Sequence, residues 1–131
     1  MEIIREIEEN IFFKSAKDVY SYLDEFKNQD REFFIIIGLD SRNKPIYREI
    51  SNIGTINSTL ISPTTTFRKA VLMNCNSIII AHNHPSGDVT PSTEDREAYK
   101  SLEKAGEILK IKVLDSIIIG NSSFYSFNEG I

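Results

Sequence analysis

Residues 78–95 read Ile78-Ile79-Ile80-Ala81-His82-Asn83-His84-Pro85-Ser86-Gly87-Asp88-Val89-Thr90-Pro91-Ser92-Thr93-Glu94-Asp95, and this stretch decides the fold. Its first four residues are a short, unbroken, mostly β-branched apolar run, which suits a strand buried on both faces. His82 ends the run and His84 follows two residues later. If the extended backbone persists through Asn83, the two-residue period turns both imidazoles to one side. Pro85 has no N–H and Gly87 permits unusual backbone angles, so the strand stops there. Helix-start chemistry follows: Ser92 can cap with Asp95 three residues on, or Thr90 can cap with Pro91 in the first helical position. Either choice puts Asp95 in the first turn of a helix, on a short tether from the histidines.

Two imidazoles and a carboxylate are the ligand set of an open catalytic zinc site, with a fourth position left for water. A lone histidine near a strand end is usually just a hydrogen-bonded residue. Here both histidines of the chain stand two apart at one strand end with an acid on the next helix. His82, His84 and Asp95 are therefore expected to bind Zn2+, against the blander reading of a polar cluster at a helix start. Calcium or magnesium would want more oxygen ligands. Asp88 is a rival oxygen ligand, but its place beside Gly87 equally suits a turn cap.

Working outward, Ser15 opens a capping box with Asp18, and Val19, Tyr22, Leu23 and Phe26 repeat at helical spacing. That predicts a helix over about 16–28. Before it, Ile3, Ile4, Ile7 and Ile11 follow helical spacing, while Ile11-Phe12-Phe13 would suit an edge strand. Phe33–Leu39 is an unbroken apolar run and reads as a central strand; after turn residues 40–43, 45–50 reads as its hairpin partner. Residues 54–58 read as loop. Ser62-Pro63 opens a second helix, and a third runs from about 93 to 106, where Gly106 ends or bends it. Residues 111–114 and 117–119 read as one bent strand or two short ones, and 124–127 closes the sheet. The order α-β-β-α-β-α-β-β is an α/β sandwich with a mixed sheet.

His-Asn-His-Pro, followed by Ser92 and Asp95, fits the pattern His-x-His-Pro, six residues, Ser-x-x-Asp. That pattern resembles the metal signature of the JAB/MPN (JAMM) metalloprotease fold, and His-Asn-His-Pro-Ser-Gly-Asp looks like its RadC branch. The resemblance covers roughly residues 15–127. It implies a RadC-like JAB domain over 15–131 with residues 1–14 as an N-terminal extension. It also implies a three-layer α/β sandwich with a mixed sheet flanked by helices, related in shape to the cytidine deaminases. The deaminase signature itself, His-x-Glu then Pro-Cys-x-x-Cys, is absent.

Hydrolysis at such a site needs a proton acceptor that later donates to the leaving amine. Composition alone does not choose among the many glutamates. Glu32 stands directly before the apolar strand, where its carboxylate would lie at the mouth of the sheet beside the His82 strand. The family's general acid/base glutamate also precedes an apolar strand, and Arg31-Glu32-Phe33-Phe34 is similar to the RadC version. Glu49 is the fallback. The resemblance further implies that Ser92 assists the oxyanion of a tetrahedral intermediate, a role compatible with helix capping.

Three features depart from the RadC pattern. Ser116 stands where relatives commonly carry histidine, residues 62–68 lack the usual Pro-Arg-Glu, and residues 1–14 are not expected to supply the helix-hairpin-helix segment of longer members. The leading expectation is thus a zinc-dependent hydrolase of peptide or isopeptide bonds acting on an unknown protein or peptide. The rivals are a DNA-repair accessory protein and a non-catalytic MPN scaffold; inactive members lose ligands that this chain keeps.

Length and charge bound the rest. At 131 residues and 14.9 kDa, one domain with one core is expected. The net charge of −4 lacks the basic stripe that grips phosphates, since Lys100, Lys104, Lys110 and Lys112 alternate with Glu103 and Glu107. No strong nucleic-acid binding is expected. No apolar run approaches the ~20 residues of a membrane span, and the acidic N-terminus lacks signal-peptide order. One cysteine, Cys75, excludes an internal disulfide, reads as a small core residue and suits a reducing cytoplasm.

Overall fold

The computed structural model describes residues 3–6, 11–54 and 61–128, the first four through their backbone. Among the described residues, six strands form one mixed sheet in the order β1-β3-β2-β4-β5-β6. They are β1 (Ile3–Glu6), β2 (Phe33–Leu39), β3 (Pro45–Ile53), β4 (Ser77–Asn83), β5 (Lys112–Ile119) and β6 (Phe124–Ser126). Among the described residues, three α-helices flank the sheet: α1 (Ala16–Tyr22), α2 (Pro63–Leu72) and α3 (Thr93–Leu109). The architecture is the α/β three-layer sandwich expected, with β4 and β5 parallel and every other pair antiparallel.

β2 and β4 lie at the centre, which is why their sequences are apolar without alternation. Ile35, Ile37, Ile79 and Ala81 face one way and pack with Val19, Leu23 and Phe26 of the α1 layer. Phe34, Ile36, Ile78 and Ile80 face the other way, against Phe67 and Ala70 of α2 and Leu102 of α3. Even on β3 the alternation holds for charged residues. Arg48 turns to the α1 side, paired with Glu25 at 2.7 Å and lying over the rings of Tyr22 and Phe26. Cys75 is buried as expected, and burial pushes its thiol up to about 11.

Several boundaries differ from expectation, each for a non-local reason. The predicted helix over 16–28 closes at Tyr22, and Asp24–Phe26 tightens into a 3-10 turn. That turn brings Phe26 into the core and Glu25 to Arg48. Residues 3–6 form an edge strand on β3 rather than a helix, and Ile11–Phe13 lies outside any strand. β3 runs on to Ile53 because Phe33 and Phe34 supply partners for Ile53 and Asn52. β5 is one strand with a bulge at the Ile78/Ile79 pairing. Of the loop read over 54–58, only Gly54 is among the described residues.

Helix α3 does not end at Gly106 but continues to Leu109 and closes at Lys110 in the left-handed conformation. The glycine is needed for space instead. A Cβ there would meet the Ile111 carbonyl oxygen at 2.5 Å and the Phe67 ring at 3.3 Å. Its absence lets α3 sit close to both α2 and the start of β5. No described helix is long and apolar enough to cross a membrane.

Candidate metal centre

β4 runs the two histidines to the carboxyl end of the parallel pair, where α/β sheets gather ligand-binding groups. His82 is on the strand, and His84 follows it with its N–H donating to the Ile119 carbonyl at 2.9 Å. Gly87, at φ +88°, turns the chain by donating to the His84 carbonyl. Ser92 then caps α3: its Oγ accepts from Asp95 N–H at 3.0 Å, and its N–H donates to Asp95 Oδ2 at 2.8 Å. Of the two caps open on the sequence, the chain uses Ser92. The reciprocal bonds turn the Asp95 carboxylate back over the strand end.

The three side chains converge. His82 Nε2 lies 3.0 Å from Asp95 Oδ1, His84 Nε2 lies 3.2 Å from Asp95 Oδ2, and the two Nε2 atoms are 3.2 Å apart. A zinc ion with tetrahedral ligands ~2.0–2.1 Å away needs donors spaced roughly 3.3 Å apart. The observed triangle is close to that size, so His82, His84 and Asp95 can hold a metal ion.

Orientation supports the same reading. His84 Nδ1 faces the Asp88 backbone carbonyl at 2.7 Å, and a carbonyl only accepts, so Nδ1 carries the proton. In the neutral ring the Nε2 lone pair then faces the cluster, the tautomer a metal-ligating histidine requires, whereas in the protonated ring Nε2–H donates to Asp95. The hydrogen bond to Asp95 raises the His84 pKa, against burial, with the Asp88 carbonyl and the charges of Asp95 and Glu32 adding to it. For Asp95, burial works against the charged form, yet the bonds from His82 and His84 prevail and hold it well below the usual carboxylate range. Electron-rich atoms this crowded favour a positive charge among them.

Glu32 and Glu49 fall at different distances from this point. The β2–β4 register pairs Phe34 with His82, and its continuation sets Glu32 opposite His84. Glu32 is half-buried at the sheet mouth, on the face of the imidazoles. Glu49 pairs with Ile36, four residues along the ladder from Glu32 and one strand farther away. It is fully buried with Arg68 Nη2 at 3.8 Å. Ser92 is exposed beside the cluster; its cap uses an oxygen lone pair and not the hydroxyl hydrogen.

Two local roles escaped the sequence. Asp88 matters through its backbone carbonyl, while its carboxylate accepts from Thr90 N–H at 2.9 Å and stays out of the triangle. The Gly87-Asp88 turn marked a loop but not what its carbonyl faces. Ser116 lies buried opposite Ile80, on the His82 face, with its N–H donating to Asp115 Oδ1.

Residues 13–131 match the profile of the RadC-like JAB domain. A UPF0758 protein of Staphylococcus haemolyticus is 42% identical over 126 residues, covering 95% of this chain and 55% of that protein. One from Chlorobaculum tepidum is 37% identical over 121 residues, or 92% and 54% of the two chains. One from Caldanaerobacter subterraneus is 43% identical over 122 residues, or 92% and 52%. The chain thus spans about half the length of the curated relatives it matches.

Proposed function

We propose, starting from a chain that belongs to the RadC-like JAB domain family, that it is a zinc-dependent hydrolase of peptide or isopeptide amide bonds. The observation that carries this is the triangle of His82, His84 and Asp95 with Glu32 facing it across the strand ladder. Zinc, when bound, supplies Lewis-acid polarisation and makes a water more acidic. The rest falls to the chain's own groups. Glu32 takes the proton of the attacking water and returns it to the leaving nitrogen, a role its half-buried, water-accessible position suits. Ser92 offers its hydroxyl hydrogen to the developing oxyanion while its oxygen caps α3. Asp95, held ionised by its neighbours, keeps its place as a ligand through the Ser92 N–H.

The domain assignment proposed with it is a metal domain over 15–131, with residues 1–14 as an extension that carries edge strand β1. A reducing cytoplasm is its proposed setting. With a net charge of −4, tight binding to duplex DNA forms no part of this reading.

The test is metal analysis of the purified protein, followed by hydrolysis assays on a panel of short peptides and isopeptide-linked conjugates. About one zinc per chain and a chelator-sensitive, zinc-restored cleavage are expected. Failure to retain zinc after loading would sink the proposal.

A further inference from the structure

The chemistry above leaves out the residue between the two histidines. Asn83 is the last residue of β4 and is 1% exposed. Its side-chain amide crosses to the neighbouring strand. Oδ1 accepts from Phe33 N–H at 2.7 Å, and Nδ2 donates to the Arg31 carbonyl at 2.8 Å. One partner is an N–H and the other a carbonyl, so the partners themselves dictate which end of the amide is which.

Those two partners flank Glu32. The last backbone pair between β2 and β4 is Phe34 with His82, so the Asn83 amide serves as the next rung after the ladder ends. From the other side, Gly54 N–H donates to the Glu32 carbonyl at 2.8 Å. The backbone of residues 31–33 is thus pinned before, at and after Glu32, which sets the direction of its Cα–Cβ bond. The carboxylate itself stays at the mouth, near enough to His84 for its charge to act on that ring.

We infer that Asn83 is the positioning residue for Glu32. Its amide fixes the base to the same strand that supplies His82 and His84, so ligands and base move as one body. This rests on the reading of Glu32 as general base. A strand end without its clamp frays, and a displacement of ~1 Å at a reacting group can cost on the order of 10²-fold in rate. Asparagine is the residue the position needs. Aspartate can accept from Phe33 but cannot donate to Arg31, and serine is too short to bridge both.

The test uses Asn83→Ala and Asn83→Asp in the zinc-loaded protein, each alone and combined with Glu32→Gln. In Asn83→Ala, NMR hydrogen exchange at the Phe33 amide should speed up roughly tenfold, the order of one net hydrogen bond. The amides of Ile79 and Ile80 should stay protected, and zinc should stay at the parental ratio. On whichever panel compound the parent cleaves, kcat should fall ~10–10²-fold with KM unchanged. No further fall is expected in the Glu32→Gln background, where the base is already gone. Asn83→Asp should keep Phe33 protected and fall between parent and alanine variant.

Unchanged Phe33 exchange in Asn83→Ala would overturn the clamp whatever the substrate. An equal kcat loss with and without Glu32 would show that Asn83 acts on something else, and loss of zinc would make it a support of the ligands. If the parent cleaves nothing on the panel, the hydrolase reading fails separately, and Phe33 exchange alone decides the clamp.

Discussion

Asp95 and Asp115 are two carboxylates turned into the protein, and the structure drives them in opposite directions. Asp95 faces two imidazoles and is held well below the usual carboxylate range in spite of its burial. Asp115, on β5, is fully buried, and that burial raises its pKa even though Ser126 Oγ, Asn128 N–H and Ser116 N–H all donate to it. Both are well supplied with hydrogen bonds. The difference is that Asp95 meets two imidazoles, whose Nε2 atoms donate to it when protonated and turn lone pairs inward when neutral, while the groups that donate to Asp115 are a hydroxyl and backbone amides. Neutral donors make a pin for the chain end; inward lone pairs make a seat for a cation.

The widest separation between the two should appear in metal content. His84→Ala removes one of the three proposed ligands and should lower zinc affinity by more than ~10²-fold, leaving no stoichiometric zinc after dialysis. Asp115→Asn should keep the parental zinc ratio. Full zinc retention in both His82→Ala and His84→Ala would erase the distinction between seat and pin.

The Asp95 site was legible in the sequence because everything that builds it is local. A strand period aims His82 and His84 together, and a capping box four residues long folds Asp95 back. The Asp115 pin was not legible, because its donors lie up to 13 residues away beyond a turn. The Asn83 clamp reaches 50 and 52 residues back, and no local pattern announces such a bond. Strand β1 was missed for a different reason: Ile3 and Ile4, taken with Ile7 and Ile11 beyond the strand, sit at a spacing that suits a helix face. Glu32 was proposed from its place before an apolar strand, and only the continued β2–β4 register sets it opposite His84.

The next contrast concerns catalysis and pits Glu32 against Glu49. Glu32→Gln keeps size and hydrogen bonding but removes the proposed base, so turnover should fall roughly 10²–10⁴-fold with zinc retained. Turnover at the parental rate would show the mechanism to be wrong. Glu49→Gln should leave turnover largely intact, since the carboxylate lies deeper and a strand away. Its cost should be in stability, read as a lower Tm, because a buried charge near Arg68 is replaced by a neutral amide. A Glu49→Gln protein that melts like the parent but has lost turnover would exchange the two roles.

The smallest effect belongs to the pin itself and appears only against pH. Asp115 has a folded-state pKa above its unfolded value, so between the two the folded chain binds more protons than the unfolded one. Its contribution to stability is therefore fully present below about pH 4, the ordinary aspartate range, and is lost as pH rises through the raised value. Asp95 has the opposite sign: its contribution is present above that range and is lost only as pH falls through its depressed value. Asp115→Asn removes the first trend and leaves the second. The carbonyl of the new amide can still accept from Ser116 and Asn128, and its NH2 can donate to Ser126 Oγ, which reverses that hydroxyl's role. In metal-free protein, urea melts should show the difference in stability, variant minus parent, growing with pH above about 4 and then levelling off. A difference that shrinks as pH rises would mean that Asp115 is stabilised in its charged form, and the contrast with Asp95 would collapse.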